Sequence, residues 1–416
     1  MGALLWPGDD RAGDHLSDSA VVRAMVQVET AWLAALVEAG IAPGDAAIDL
    51  SGAVGAIDTD ALAVASEAGG NPVIPLVTLL RGRLTDAEPQ AAHWVHRGLT
   101  SQDVLDTALV LGLRDTADAV LAKIETQIHA LAALANRHRA DPMAGRTLTQ
   151  HAVPVTFGLT AAHWLHGVLE ASDDLHDARN RLPIQIGSAA GTLAAPAELL
   201  RLTGGRGDPI TLARSAATRL GLPWSPPWHT MRAPLTRLAD ALTRASDAWG
   251  HIAADVLVRA RPEIAELAEP AAPGRGGSST MPHKANPILS VLIRRAALTA
   301  PNLAAQLHLA AATTVDERPD GAWHTEWTPL AELARHTLTA ADQTAELLSG
   351  LHVDTGRMSR GVQFAASALL AEQHNLTRLI DNPPETDFDP SHYLGSADAL
   401  IDAILKRART HARGQR

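Results

Sequence analysis

Apolar residues at 105, 109, 113, 117, 120, 124, 128, 131 and 135 recur along one stretch of the chain. Their mean spacing is about 3.75 residues, close to a helical repeat, and no proline interrupts it before Pro142. The pattern predicts one helix over 102–139, a rod of about 57 Å at 1.5 Å per residue. Alanines on its other faces imply close packing against several neighbours. Three more long helical stretches are expected over 154–181, 232–268 and 287–314, with Pro262 and Pro301 breaking or kinking two of them. Ala and Leu recur throughout, aromatics are only 3% of residues, and no β-branched run dominates, so local propensity favours helix.

Long uninterrupted helices imply an elongated bundle. The expected architecture is all-α, with an N-terminal helical domain over 1–101, a central long-helix bundle over 102–348 and a short C-terminal helical domain over 349–416. Composition narrows the function classes. With no cysteine, disulfides, thiolate chemistry and iron–sulfur clusters are excluded. No His-Glu-x-x-His or comparable ligand spacing, no GxGxxG and no P-loop is present, so neither a metal nor a nucleotide cofactor is expected. The formal charge is −11, and the five basic residues after position 405 read as a solvated helix end and tail, so no nucleic-acid partner is expected. Residues 296–315 lack charged side chains but contain Pro, Asn, Gln, His and several Thr. They read as buried helix and not as a bilayer span. The opening residues show no basic-then-apolar leader pattern, and the expected location is the cytoplasm.

Three polar stretches stand at helix ends. The first is Gly274-Arg275-Gly276-Gly277-Ser278-Ser279-Thr280-Met281-Pro282-His283-Lys284-Ala285-Asn286-Pro287. Asn286-Pro287 reads as an N-cap followed by proline at the first helical position. Free N–H groups and the charge of Lys284 there suit a substrate carboxylate, although a Gly/Ser connector is the alternative. The second, His96 to Asp103, precedes the longest helix, where Thr100 or Ser101 can cap and can also accept an anion. The third, Gly145 to Pro154, reads by itself as a polar turn. His324, between Trp323 and Trp327, reads either as a satisfied histidine between packed indoles or as a participant in catalysis.

Together Gly277–Pro287, Thr100-Ser-Gln-Asp103 and Gly145-Arg-Thr147 closely resemble the three signature regions of the fumarase/aspartase superfamily, over nearly the whole chain. The resemblance implies an all-α, three-domain homotetramer with a twenty-helix core and active sites shared between subunits. It also implies Ser278 as the base that removes a proton α to a carboxylate. Thr100, Ser101, Thr147, Lys284 and Asn286 are implied as substrate-binding positions, and His151 and Arg318 lie in matching stretches. Thr100–Thr107, Trp228-His-Thr230, Trp323–Trp327 and Asp389–Gly395 resemble the 3-carboxy-cis,cis-muconate cycloisomerase branch. That branch implies a tricarboxylate substrate, closed to a lactone through an aci-carboxylate carbanion in protocatechuate catabolism, without metal or cofactor.

Other branches of the superfamily carry His after Gly-Arg-Thr, paired with a Glu thirteen residues beyond the serine. Leu148 and Val291 stand at those positions. An amine leaving group needs a proton as its bond breaks, whereas a carboxylate does not. Their pKa gap of roughly six units corresponds to about 8 kcal/mol of proton affinity. Loss of both halves of the acid pair therefore argues against adenylosuccinate- or argininosuccinate-type lyases, the alternative reading. A non-catalytic scaffold, as in some lens crystallins, is opposed by the intact signature loop. Met231 stands where the branch often has Gln and Ser19 where it often has Arg, and the C-terminal domain is shorter than usual between Leu379 and Asp389.

Overall fold

The computed structural model describes residues 3–55, 58–278, 280–281, 284–381, 383–385 and 388–414. The fold is all-α, built on long helices. Asp18–Glu38, Ser101–Arg137, Phe157–Asn180, Ala233–Arg259, Ile288–Ala312 and Gly321–Ser349 are the longest. Shorter helices include Asp58–Gly69, Val73–Leu84, Pro209–Leu220, Thr355–Leu369 and Ala397–Gly414.

Ends are set by local chemistry. The Ser17 hydroxyl accepts the Ala20 N–H at the start of Asp18–Glu38. Asp208 accepts the Thr211 N–H, with Pro209 at the first position, and Gly221 ends the same helix in the left-handed conformation. The 102–139 expectation is met by Ser101–Arg137. The 232–268 expectation ends early, at Arg259, before Pro262. Pro301 does not break its helix, which runs from Ile288 to Ala312. A single missing N–H costs less than abandoning the packed face around it.

The stretch read as a polar turn is a β-hairpin. Pro142–Thr147 pairs antiparallel with Gln150–Thr156, with Thr147 opposite Gln150 and an irregularity between Ala144 and Arg146. Its strands lack apolar alternation, which is why sequence pattern did not expose them. A second, two-residue pair joins Leu267–Ala268 to His352–Val353.

The chain divides into two compact units. One comprises Met1–Ala119, Leu175–Leu242 and Pro301–Leu338. The other comprises Val120–Asp174, Thr243–Ala300 and Thr339–Arg416. In the first, Trp32, Leu36, Leu76, Leu80 and Leu113 are fully buried, and the Asp18–Glu38 helix turns most of its apolar residues inward. That helix and Ile288–Ala312 are long and apolar enough to cross a membrane by length and composition. In the second unit, a Cβ on Gly250 would lie 2.5 Å from the Ala297 Cβ, so two helices touch at small residues. Gln127 ties three helices there. Its Nε2 donates to the Ala341 carbonyl at 2.8 Å, and its Oε1 accepts from Trp249 Nε1 at 2.7 Å.

Gln127→Ala would leave the buried Trp249 N–H unpaired, take away the second donor to the helical Ala341 carbonyl and open a void. The expected loss is about 2–4 kcal/mol, read as a lower urea midpoint.

Candidate active site

In the first unit the start of the Ser101–Arg137 helix is organised by one carboxylate. Asp103 is fully buried. It accepts N–H groups from Thr100 at 3.0 Å, Gly187 at 2.8 Å and Ser188 at 2.9 Å. His229 Nε2 lies 2.9 Å from the same carboxylate. Gln185 braces the site, accepting the Trp228 N–H at 2.7 Å and exchanging hydrogen bonds with Thr107. Asp103 therefore caps the helix by returning a carboxylate to the N-cap N–H. The hydroxyls of Thr100 and Ser101 are half-buried and have no hydrogen-bond partner among the described residues. Ser188 holds a left-handed backbone, φ 61°, and its hydroxyl donates to the Gly98 carbonyl at 2.6 Å.

One turn along the helix, Arg232 is completely buried between two carboxylates. It meets Asp106 at 2.7 and 3.1 Å and Glu326 at 2.6 to 3.0 Å. Trp323 Nε1 and Gln102 Nε2 donate to Asp106 at 2.8 and 3.1 Å, and the guanidinium stacks over Trp228. Burial by itself would discharge Arg232, but the two carboxylates outweigh it and raise its proton affinity. Burial pushes the Glu326 carboxyl above its ordinary range, against the opposing pull of Arg232. His324 is exposed, beside Trp323 and Trp327, with its ring nitrogens near the Asp320 and Gly70 carbonyls. Arg318 is exposed, with no ion pair among the described residues. Met231 is 71% exposed.

In the second unit the hairpin presents Thr147 and His151 at its exposed end. The turn residues Leu148 and Thr149 both have positive φ, 49° and 70°, an uncommon conformation for a β-branched threonine. Arg146 anchors the hairpin through two bonds to buried Glu266, at 3.0 and 2.6 Å. Gly145 is required there, because a Cβ would lie 2.4 Å from the Val153 carbonyl oxygen.

The signature loop is closed at its base. The Asn286 backbone N–H and side-chain Nδ2 donate to the Gly276 carbonyl at 2.9 and 3.0 Å. Gly276 has φ 72°, and a Cβ there would lie 2.5 Å from the Asn286 carbonyl oxygen. Inside the loop the Ser278 hydroxyl accepts the Met281 N–H at 3.1 Å and the Thr280 N–H at 3.4 Å. Lys284 is exposed. Ser279, Pro282 and His283 of the motif lie outside the described residues.

The expected Asn286 cap is not formed. Glu269 instead supplies the cap from outside the motif, its carboxylate accepting the Leu289 and Ser290 N–H groups at 3.0 and 2.6 Å. The end of this helix is thus already occupied by an anion of the protein, which removes the main geometric argument for a substrate carboxylate at those two donors. Glu269, Glu266, Asp106, Arg232 and Glu326 went unassigned in the sequence, and Asp103 was expected only in the first turn of the helix that Thr100 or Ser101 caps. The available signal was charge inside otherwise Ala/Leu-rich or motif-bearing stretches.

Two outcomes follow from these contacts. Glu269→Ala should cost about 1 kcal/mol and raise amide exchange at 289 and 290, measured by hydrogen-exchange mass spectrometry. Because the folded Glu326 carboxyl is raised, its stabilising contribution is complete below its unfolded pKa of about 4.3 and is lost as pH rises through the folded value. The stability of wild type relative to Glu326→Gln, from urea midpoints, should therefore fall as the pH is raised above the pKa of a free carboxyl. A difference that stays flat or rises would mean that Arg232 fully offsets the burial.

Residues 19–301 match the profile of a family described as lyase. The chain is 44% identical to a nitrosuccinate lyase of Streptomyces davaonensis, over 94% of this chain and 91% of the relative. It is 37% identical to a 3-carboxy-cis,cis-muconate cycloisomerase of Bradyrhizobium diazoefficiens, over 94% and 83% of the two chains. Among solved structures, the 3-carboxy-cis,cis-muconate lactonizing enzyme of Pseudomonas putida superposes with a TM-score of 0.85 at 29% identity, covering 96% of this chain and 97% of that one. With three signature regions on an all-α scaffold and these relatives along its length, the chain belongs to the fumarase/aspartase superfamily of lyases.

Proposed function

We propose that this lyase acts on a small polycarboxylate without a cofactor, that Ser278 is its base, and that the group it expels is itself a weak base. The observation that carries the reading is the pair of backbone N–H groups directed at the Ser278 oxygen. A hydroxyl is a poor base until its anion is stabilised, and donors already aimed at the oxygen do that without reorganisation. Thr100, Ser101, Thr147, His151, Lys284 and Arg318 are the proposed substrate contacts. Asn286 is proposed to act chiefly by closing the loop around Ser278.

The positions of the missing acid pair select the leaving group. Leu148 is 96% exposed and Val291 46% exposed, and neither offers a proton. Nitrite and carboxylate are both conjugate bases of acids far stronger than an ammonium ion, so either departs unprotonated. Nitrosuccinate is the first substrate proposed, since the relative of that name shares more identity, 44% against 37%, over the same share of this chain. Ser278 would take a proton from the carbon beside one carboxylate. The electron pair would form the carbon–carbon double bond as the C–N bond breaks, and nitrite would leave with its electrons. The second reading is cyclisation of 3-carboxy-cis,cis-muconate to 4-carboxymuconolactone, with Ser278 delivering the proton. It is favoured by the stretches Thr100–Thr107, Trp228–Thr230, Trp323–Trp327 and Asp389–Gly395.

A homotetramer with shared active sites, its twenty-helix core drawn from the 102–348 region, is part of the proposal. On Ile288–Ala312, Val291, Leu298 and Leu309 are 46%, 66% and 66% exposed. Their spacings of seven and eleven residues bring them onto one stripe, an apolar face suited to another helix.

The deciving pair of assays uses metal-free protein. Nitrite released from nitrosuccinate is read by colorimetry, and diene absorbance lost from 3-carboxy-cis,cis-muconate is read with the product identified by NMR. Ser278→Ala should lower kcat on the active substrate by about 10³-fold or more with unchanged circular dichroism. Folded, tetrameric wild type that leaves both substrates untouched would refute the weak-base reading, and release of fumarate from an N-succinyl amine would replace it.

A further inference from the structure

Asp103 and Asp106 lie in the first two turns of the Ser101–Arg137 helix, the end at which Thr100 and Ser101 are proposed to hold a substrate carboxylate. Arg232 bridges Asp106 and Glu326, so three carboxylates are buried there with one guanidinium. Asp103 has no arginine or lysine of its own. Its donors are the N–H groups of Thr100, Gly187 and Ser188, the Gln185 amide and His229 Nε2. A carboxylate brought to this helix end therefore meets like charge from within.

His229 is the group placed to answer that charge. Its ring is 3% exposed. Nε2 lies on the Asp103 carboxylate, which only accepts, so Nε2 carries the hydrogen. The other nitrogen, Nδ1, has no hydrogen-bond partner among the described residues, and it is not one of their enclosed unpartnered nitrogens. A Cβ on Gly187 would lie 2.7 Å from the ring Cε1, and one on Gly191 4.0 Å from Nδ1. Two residues without side chains thus border this edge, in a loop whose Ala189, Ala190 and Thr192 are exposed. From Gly187 to Leu193 that loop has no charged residue.

We infer that His229 takes up a proton when a substrate carboxylate binds at Thr100 and Ser101, so that polycarboxylate binding and protonation of this ring are one coupled event. The inference rests on the carboxylate reading of those two hydroxyls. An ordinary imidazole is neutral above pH 7 and gains its charge just below. The arriving anion adds to the charge of Asp103, and a proton drawn from solvent onto Nδ1 makes the ring a cation while Nε2–H stays on Asp103. The proton returns to solvent when the anion leaves. His229 is in this sense a positioning residue, acting through the carboxylate that holds the Thr100 N–H.

Succinate is the probe, a dicarboxylate with no leaving group and no carbon–carbon double bond. Calorimetric titration of the intact protein at about pH 8, in buffers of different ionisation enthalpy, reads the protons exchanged. The expected result is uptake of about one proton per succinate bound, with a Kd that weakens up to about tenfold per pH unit above that. His229→Gln, whose amide can still donate to Asp103, should bind succinate more weakly, with no uptake and a Kd flat with pH. Glu326→Gln should keep the uptake, although Glu326 is the other acid of the cluster that burial makes easier to protonate. The assignment is overturned if wild type binds succinate without uptake and with a pH-independent Kd, if a folded His229→Gln still takes up the proton, or if Glu326→Gln abolishes it. The wild-type pH dependence needs no variant, so the test stands where a substitution fails to fold. Wild type that binds no succinate up to about 50 mM would instead remove the carboxylate site at Thr100 and Ser101, and this inference with it.

Discussion

Arg232 carries a guanidinium where water does not reach, and the first unit is arranged to keep it charged. A buried arginine with one carboxylate would still leave donors unmet, so two are supplied, Asp106 from one helix and Glu326 from another. The excess negative charge is then shared out. Trp323 and Gln102 donate to Asp106, and burial makes Glu326 easier to protonate. Such a cluster adds little net stability compared with a well-packed apolar core, but it is intolerant of any other alignment of its helices. That intolerance fixes Trp228–Arg232 and Trp323–Trp327 against the first turns of the Ser101–Arg137 helix. Asp103, one turn earlier, holds Thr100 and the Gly187–Ser188 backbone in turn.

The second unit solves a different problem, that of holding polar loops at helix ends. Two acids three residues apart do most of it. Glu266 grips the hairpin through Arg146, and Glu269 closes the helix that follows the signature loop. Between them and the Gly276–Asn286 clasp, Ser278 is held with backbone donors on its oxygen. The proposed chemistry asks for little more from this unit. A base whose anion is already solvated by amides, and a leaving group that needs no proton, are consistent with the apolar pair Leu148 and Val291.

Much of this was legible in the chain. The helical repeat of about 3.75 residues over 102–139 fixed the long helix to within two residues, because a repeat sustained for so many turns leaves no strand-like alternative. The lyase resemblance was carried by short stretches in which Gly, Ser, Thr and Lys replace the Ala/Leu filler, a contrast that needs no coordinates. Pro262 marked a true helix end, the helix stopping at Arg259, three residues before the ring and missing N–H of the proline. The absence of cysteine and of nucleotide-binding glycine patterns bounded the chemistry by simple inspection.

What the tertiary structure decided were the partners, which sequence distance conceals. Periodicity is blind to a hairpin whose strands do not alternate, and to Pro301 riding inside a helix that packing sustains. Asn286 looked like a cap because capping is usually local. The cap came instead from Glu269, seventeen residues before it, since its carboxylate can take two N–H groups at once, while the Asn286 side chain is turned to the loop by its Nδ2–H bond to the Gly276 carbonyl. Asp106, Arg232 and Glu326 are scattered over more than two hundred residues, and nothing in their spacing along the chain links them. Only folding brings them together, because the free energy of a buried charge depends on who stands beside it and not on its neighbours along the chain.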